Sequence, residues 1–260
     1  MDKRLLILIT TCLMFTACQE EIDLDLKNAQ TKTVIEGNIS NTGDPAIVLV
    51  SETTPFKDTL FFKGLTGAVV TITDGNNHTD TLQPFTGIGI DGVYASLTLQ
   101  TQVGQTYRLK VEVNGNTYES TSEVFAAVPI DSVYIMEGGF DDKPRLTFDY
   151  HDPAGVKNYF KADVTLNGIP QSTVEIDDDR FTDGIKKTMD FGSLDDLKTG
   201  DTLDIVLKSI DMNVYTYFST LLTNTSVASA APANPISNIS NGALGYFNAC
   251  AGTKRRYYFP

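Results

Sequence analysis

Tyr107-Arg108-Leu109-Lys110-Val111-Glu112-Val113, followed by Asn114-Gly115-Asn116 and then Thr117 to Ser122, decides the class of the fold. Apolar and polar residues alternate strictly. In a strand, where successive side chains point to opposite faces, this places Tyr107, Leu109, Val111 and Val113 on one side and Arg108, Lys110 and Glu112 on the other. A helix would scatter the same residues around its axis. Asn114-Gly115 supplies the two residues that best tolerate positive φ, as a tight hairpin turn requires. The same grammar continues upstream in Thr33 to Ile39, Ala46 to Glu52, Ala68 to Thr73 and Val93 to Leu99, with Asp74-Gly75-Asn76-Asn77 as a second turn. Short strands at this spacing predict an antiparallel sandwich of immunoglobulin-like type over residues 31–127.

Val128-Pro129-Ile130 follows the unpatterned stretch that begins at Phe125, and a proline there marks a strand edge or a linker. Beyond it, residues 128–260 carry further strand candidates: Ser132 to Met136, Arg145 to Tyr150, Tyr159 to Leu166, Ile185 to Phe191 and Thr202 to Ser209. Asn167-Gly168 and Thr199-Gly200-Asp201 punctuate them. Val214, Phe218, Leu221 and Leu222 instead fall on one face of a helix, which is expected near residues 213–224. Ala228 to Ile239 reads as an irregular loop, before a closing pair of short strands around Leu244 to Phe247 and Arg256 to Phe259. The expectation is a mainly β protein with two antiparallel β-sandwich-like lobes, the second carrying one short helix.

The 260 residues are 41% hydrophobic and 20% charged, which supports one or two cores and excludes a wholly disordered chain. A net charge of −13 argues against nucleic acid as a partner, because phosphate binding needs clustered Lys and Arg.

At the N-terminus, Lys3 and Arg4 precede an apolar stretch from Leu5 to Phe15, and Thr16-Ala17-Cys18 follows. That order is a secretory signal over residues 1–17, and the stretch is too short for a membrane span. The ending Phe15-Thr16-Ala17-Cys18 resembles a bacterial lipobox, in which cleavage after Ala17 leaves Cys18 to receive lipid; Phe15 stands where Leu or Val is usual. The alternative is a plain secretory signal with Cys18 near the cut. Cleavage would discard Cys12 and leave Cys18 and Cys250, and acylation of Cys18 would leave no partner for an intramolecular disulfide. Glu20, Glu21, Asp23 and Asp25 make residues 18–30 an acidic tether that anionic headgroups would repel. It reads either as a solvated linker or as a surface-export signal.

Several fragments, in order, resemble one family. They are Glu21-Ile22-Asp23-Leu24-Asp25 behind Cys18, Val34-Ile35-Glu36-Gly37, Gly67 to Ile72, Gly92-Val93-Tyr94 and Gly104-Gln105-Thr106-Tyr107. Further on come Pro129 to Val133, Asp152-Pro153 with Asn158-Tyr159-Phe160, Asp179-Arg180-Phe181 with Asp183-Gly184, Gly200-Asp201, and Asn241 to Phe247. The chain is similar to the lipoprotein family catalogued as domain of unknown function 4249. The resemblance implies a Bacteroidota outer-membrane lipoprotein, often encoded beside receptors of the TonB-dependent type. It implies no reaction, and it carries over no catalytic or binding residues.

The residues that bear chemistry are few. The two histidines, His78 and His151, lack the surroundings of a catalytic triad, and with so few thiols they do not make a zinc site. Calcium suits the chain better, because Asp177, Asp179 and Asp183, with Asp178 beside them, crowd before Gly184. The spacing is not that of an EF-hand, and a solvated acidic loop is the plainer reading of that run, as it is of Asp141-Asp142 and Asp195-Asp196. Tyr215, Tyr217 and Phe218, and likewise Tyr257, Tyr258 and Phe259, read as packing residues rather than a sugar platform. The basic run Lys254-Arg255-Arg256 has the chain's own acids available as partners.

The functional expectation is therefore a non-enzymatic binding or accessory protein at the outer membrane, where the tether is compatible with display at the cell surface. Cys18 would anchor it by lipid beside a TonB-dependent receptor barrel, with a small-molecule or glycan ligand left unidentified. The alternatives are a surface hydrolase that cleaves glycans with paired carboxylates and an adhesin or structural surface module.

Overall fold

The computed structural model describes residues 30–54, 62–87, 89–136, 143–194, 197–225 and 233–260. Cys18 and Ala17, Asp141-Asp142 and Asp195-Asp196 lie outside them. Residues Thr31–Pro260 make one compact unit. Its elements are β1 (Thr33–Ser40), β2 (Ala46–Glu52), β3 (Lys63–Gly64), β4 (Val69–Thr73), β5 (Thr79–Pro84), β6 (Val93–Ser96), β7 (Thr106–Val113) and β8 (Asn116–Glu123). After these come β9 (Ile130–Met136), β10 (Arg145–His151), β11 (Tyr159–Leu166), β12 (Ile169–Pro170), β13 (Glu175–Asp178), β14 (Lys186–Ser193), β15 (Thr202–Ser209), helix α1 (Met212–Thr225) and β16 (Leu244–Tyr258). The protein is mainly β with one short helix, as its alternation predicts.

The hairpin of β7 and β8 forms in the expected register, Val113 opposite Asn116, with Asn114 at φ 51° and Gly115 at φ 75°. Tyr107, Leu109, Val111 and Val113 are buried. They join Ile35, Val48, Val50, Val70, Ile72 and Tyr94 in a first core, which also takes Phe247, Ala249 and Ala251 from the end of the chain. Val124 belongs to this core, whereas Val128 and Ile130 belong to a second.

The large sheet runs β12-β11-β15-β16-β1-β2-β6-β5-β4-β7-β8, with β13 attached to β11 and β3 to β2; a smaller sheet runs β14-β10-β9. In place of a closing pair of short strands, the chain ends in the 15-residue β16. Residues 244–250 of β16 pair parallel with β1, and residues 251–258 pair antiparallel with β15. The large sheet is therefore mixed, and one strand serves both cores. Two glycines allow this. Gly245 sits at φ 96°, and a Cβ there would lie 2.0 Å from the Ile35 carbonyl oxygen. A Cβ at Gly37 would lie 2.9 Å from Cδ2 of Phe247, so its absence gives that fully buried ring its place.

The second core fills the space between the small sheet and the β11–β15 part of the large one, around Phe148, Tyr150, Phe160, Phe191, Leu203 and Ile205. Two of the connections between these sheets bear on the site. Residues 152–158 carry it from β10 to β11, and residues 179–185 from β13 to β14. Helix α1 covers a third cluster, with Val214, Tyr217 and Phe218 over Tyr159, Ile210 and Cys250. Its start is fixed by Asp211: the backbone carbonyl accepts from Tyr215 N (3.0 Å), and Oδ1 accepts from the N–H groups of Asn213 (2.8 Å) and Val214 (2.9 Å). That is N-capping. The Ser122 hydroxyl on β8 donates to the other carboxylate oxygen, so the cap also ties α1 to the first sandwich.

Candidate functional site

The most elaborate polar chemistry in the described residues gathers where the two crossovers meet the edge of α1. An open cleft of about 560 Å³ is walled by Asp177 and Asp178 of β13, Arg180 and Phe181 of the crossover, Lys187 of β14 and Tyr215 of α1. Acid-rich β13 has the composition of a solvated loop. It is a strand because it pairs antiparallel with β11, Tyr159 opposite Asp178 and Phe160 opposite Asp177, and because its charges find partners. Asp177 Oδ2 accepts from the Tyr150 hydroxyl (2.5 Å) and from the buried Lys187 ammonium (2.7 Å). Lys187 also donates to the Asp178 carbonyl at 2.5 Å. Burial, reinforced by Asp177, pushes the Tyr150 phenol far above its usual range.

On the open side, Asp178 Oδ2 accepts from the Tyr215 hydroxyl and from Arg180, each at 2.7 Å. Burial and then the Asp178 charge push the Tyr215 phenol up to about 12. The Asp178 carboxyl is held below its ordinary range, because hydrogen bonds from Tyr215 and Arg180 outweigh its desolvation. The Phe181 ring stands beside this arrangement, 90% exposed. An aromatic face, an Arg–Asp pair and a tyrosine hydroxyl at one open rim can stack on a flat or sugar-like surface and hydrogen-bond its polar edge.

Behind this wall the three calcium candidates separate. Asp177 turns to Lys187 and Tyr150, as described. Asp179 and Asp183 instead meet Asp152, and the three offer carboxylate oxygens within 4.8 Å of one another. Asp152 lies on the other crossover, where the sequence showed it only as an Asp-Pro landmark. The three carboxylates lace the crossovers reciprocally. Asp152 Oδ2 accepts from Gly184 N (3.0 Å), Asp179 Oδ2 from Asn158 N (2.8 Å) and Asp183 Oδ1 from Gly155 N (2.8 Å). Asp152 and Asp179 are buried and Asp183 is exposed. Burial raises the Asp152 pKa, and the charges of Asp179 and Asp183 push it the same way, against the opposing Gly184 hydrogen bond.

The remaining candidates have plain surroundings. His78 is exposed in the Asp74 turn, and exposed His151 pairs with Asp131 at 2.6 Å. Tyr217 and Phe218 are packed against Tyr246, with ring centroids 4.9 and 4.8 Å away. Tyr257 packs on the second core, while Tyr258 is 67% exposed. The basic run is spent on the chain's own groups: Lys254 on Asp44 (2.9 Å), Arg256 on Asp204 (2.6 and 2.8 Å), and Arg255 on the Ile130 carbonyl (3.4 Å). Among the described residues no helix is long and apolar enough to cross a membrane.

The family described as domain of unknown function (DUF4249) matches over residues 19–256, which take in the tether after Cys18 and all of the described strands except the last two residues of β16. The chain belongs to this family. No curated protein matches it. Within DUF4249, then, the cleft and the laced crossovers of this member rest on residues inside the matched span: Asp152, Asp179, Phe181, Asp183 and Tyr215.

Proposed function

We propose that this DUF4249 protein is a lipid-anchored binding or accessory subunit of a bacterial outer membrane, of the kind Bacteroidota carry, working without catalysis beside a TonB-dependent receptor barrel in nutrient uptake. The observation that carries this reading is the order of the N-terminal sequence: a charged and apolar leader ends in Thr16-Ala17-Cys18, and four acids follow within residues 19–25. Acyl chains on Cys18 would supply the anchor, since two or more chains hold stably where one does not. The acidic tether of residues 18–30 reaches at most about 45 Å when extended, and its charge keeps the folded unit off anionic headgroups. The open cleft between β13, β14 and α1 gives such a subunit a place to hold a small molecule, a glycan end or a loop of the receptor.

Affinity purification of the full chain from gently solubilised membranes tests the proposal. Co-purification of a barrel protein that is lost with Cys18→Ser supports it; recovery of the lipoprotein alone refutes the partnership. A hydrolase is the second reading, and Asp152, a buried carboxylate with a raised pKa, is the residue that favours it. Turnover in a glycan screen that Asp152→Asn abolishes would move the assignment to that class.

A further inference from the structure

Three carboxylates whose oxygens lie within 4.8 Å of one another repel unless something positive sits between them. The backbone N–H groups of Gly184, Asn158 and Gly155 each engage one oxygen of each pair. Lys187, whose charge is felt at Asp152, is itself committed to Asp177 and to the Asp178 carbonyl. A separate observation concerns the deepest member. Asp152 is 4% exposed, yet its Oδ1 is buried without any hydrogen-bond partner. A carboxylate oxygen stripped of water and left unpaired costs free energy, so such an atom calls for a proton, a water or a cation to meet it. The Thr182 hydroxyl, in the same crossover as Asp179 and Asp183, is likewise buried and unpaired.

We propose that Asp152, Asp179 and Asp183 form a calcium-binding site that clamps the 152–158 crossover to the 179–185 crossover. The donors are all oxygens, drawn from two irregular segments, which suits the high coordination number and loose geometry of calcium rather than zinc, with its His and Cys preference, or octahedral magnesium. Waters and backbone carbonyls complete the shell. The bound ion fixes residues 179–185, and with them Arg180 and Phe181 at the rim of the cleft. The site stands whether or not the protein partners a receptor.

The full chain in detergent, stripped with a chelator, is melted with and without calcium and followed by far-UV circular dichroism. Calcium at a hundredfold excess over its dissociation constant should raise Tm by about 5–10 °C. Asp183→Asn keeps an oxygen for Gly155 N–H but removes a charged ligand, and because Asp183 is exposed the variant folds; its Tm should no longer respond to calcium. Asp152→Asn should behave alike. If wild-type Tm does not move at millimolar calcium, if it responds to magnesium alone, or if the response survives in both variants, the site is refuted. In the first case the carboxylates serve only as a lacing between backbone segments.

Discussion

Replacing Asp211 tests whether the edge of the cleft is held by a single carboxylate. The residue is 6% exposed and does three things at once: Oδ1 caps two N–H groups of α1, Oδ2 accepts from Ser122, and the backbone carbonyl closes the first helical turn. Asp211→Ala keeps only the last. Loss of an N-cap costs about 1 kcal/mol, within a range of roughly 0.5–2. Loss of a charged acceptor for a buried hydroxyl costs about 1.5–3 kcal/mol more. Ser122 can redirect its proton to the Ala249 carbonyl, already 3.3 Å away, which favours the lower end of the second figure. The sum is about 2–4 kcal/mol, equivalent to a fall in Tm of roughly 4–16 °C for a chain of this size. Urea unfolding followed by far-UV circular dichroism reads it directly, with an unchanged m-value confirming that the native state alone is affected. Asp211→Asn retains an oxygen for the cap and should keep more than half of the lost stability. A loss below about 0.5 kcal/mol in the alanine variant, or an asparagine variant as damaged as the alanine one, would refute the idea that the Asp211 carboxylate secures α1.

Two further outcomes follow from the geometry. Gly245→Ala puts a methyl group against the Ile35 carbonyl at a positive-φ position in the parallel seam, so it should cost about 3 kcal/mol or more; a denaturant midpoint equal to wild type would show that β16 does not need its glycine. Asp149 accepts from Lys186 (2.8 Å), Thr188 (2.7 Å) and Ser132 (2.8 Å), and these bonds, Lys186 first, hold its carboxyl well below the usual range. A depressed folded-state pKa gives stability that is complete above the unfolded value of about 3.9 and is lost as pH falls through the folded one. Asp149→Asn should therefore flatten the decline in urea midpoint below about pH 4, and parallel acid limbs in the two proteins would contradict this.

How much of this was legible in the sequence depended on whether the deciding partners were near in the chain. The β7–β8 hairpin was fully readable, because its alternation and its Asn-Gly turn are local. Helix α1, at Met212–Thr225, matched a 3.6-residue pattern despite its Thr and Ser; hydroxyls that threaten a helix are absorbed, as when Thr216 donates to the Met212 carbonyl at 2.7 Å. Strand β13 was not readable. Glu175–Asp178 has the composition of a solvated loop, and it becomes a strand through Tyr150 and Lys187, which lie on other strands. Strand β16 reads locally as two short strands, Leu244 to Phe247 and Arg256 to Phe259, and it is one strand because residues 244–250 pair with β1 and residues 251–258 with β15, partners that lie far away in the chain. At the carboxylate site, Asp179 and Asp183 were visible as a local run. Asp152 was hidden, since only the return of the chain from the opposite sheet brings it within reach. Asp177 looks like a fellow ligand in the sequence, but its partner is a lysine on another strand.

These partners also explain why the cleft should be adjustable where the rest of the molecule is not. Three of its walls, β13, β14 and α1, are regular elements with backbone ladders and apolar faces in the second or third core. The fourth, residues 179–185, has neither. Phe181 is 90% exposed and Ile185 51% exposed, so apolar burial contributes little to its position. It is held by carboxylate-to-backbone bonds and a few turn hydrogen bonds, such as Thr182 N to the Asp179 carbonyl at 2.9 Å. Segments of this kind open at small free-energy cost, while core strands open only with the whole fold. Hydrogen bonds to a charged carboxylate also respond to the acidity and cations of the solution, as apolar packing does not. Protonating, replacing or coordinating one of Asp152, Asp179 and Asp183 would act on Arg180 and Phe181 at the rim while leaving both sheets unchanged, and that selectivity follows from placing the acids on the crossovers rather than on the strands.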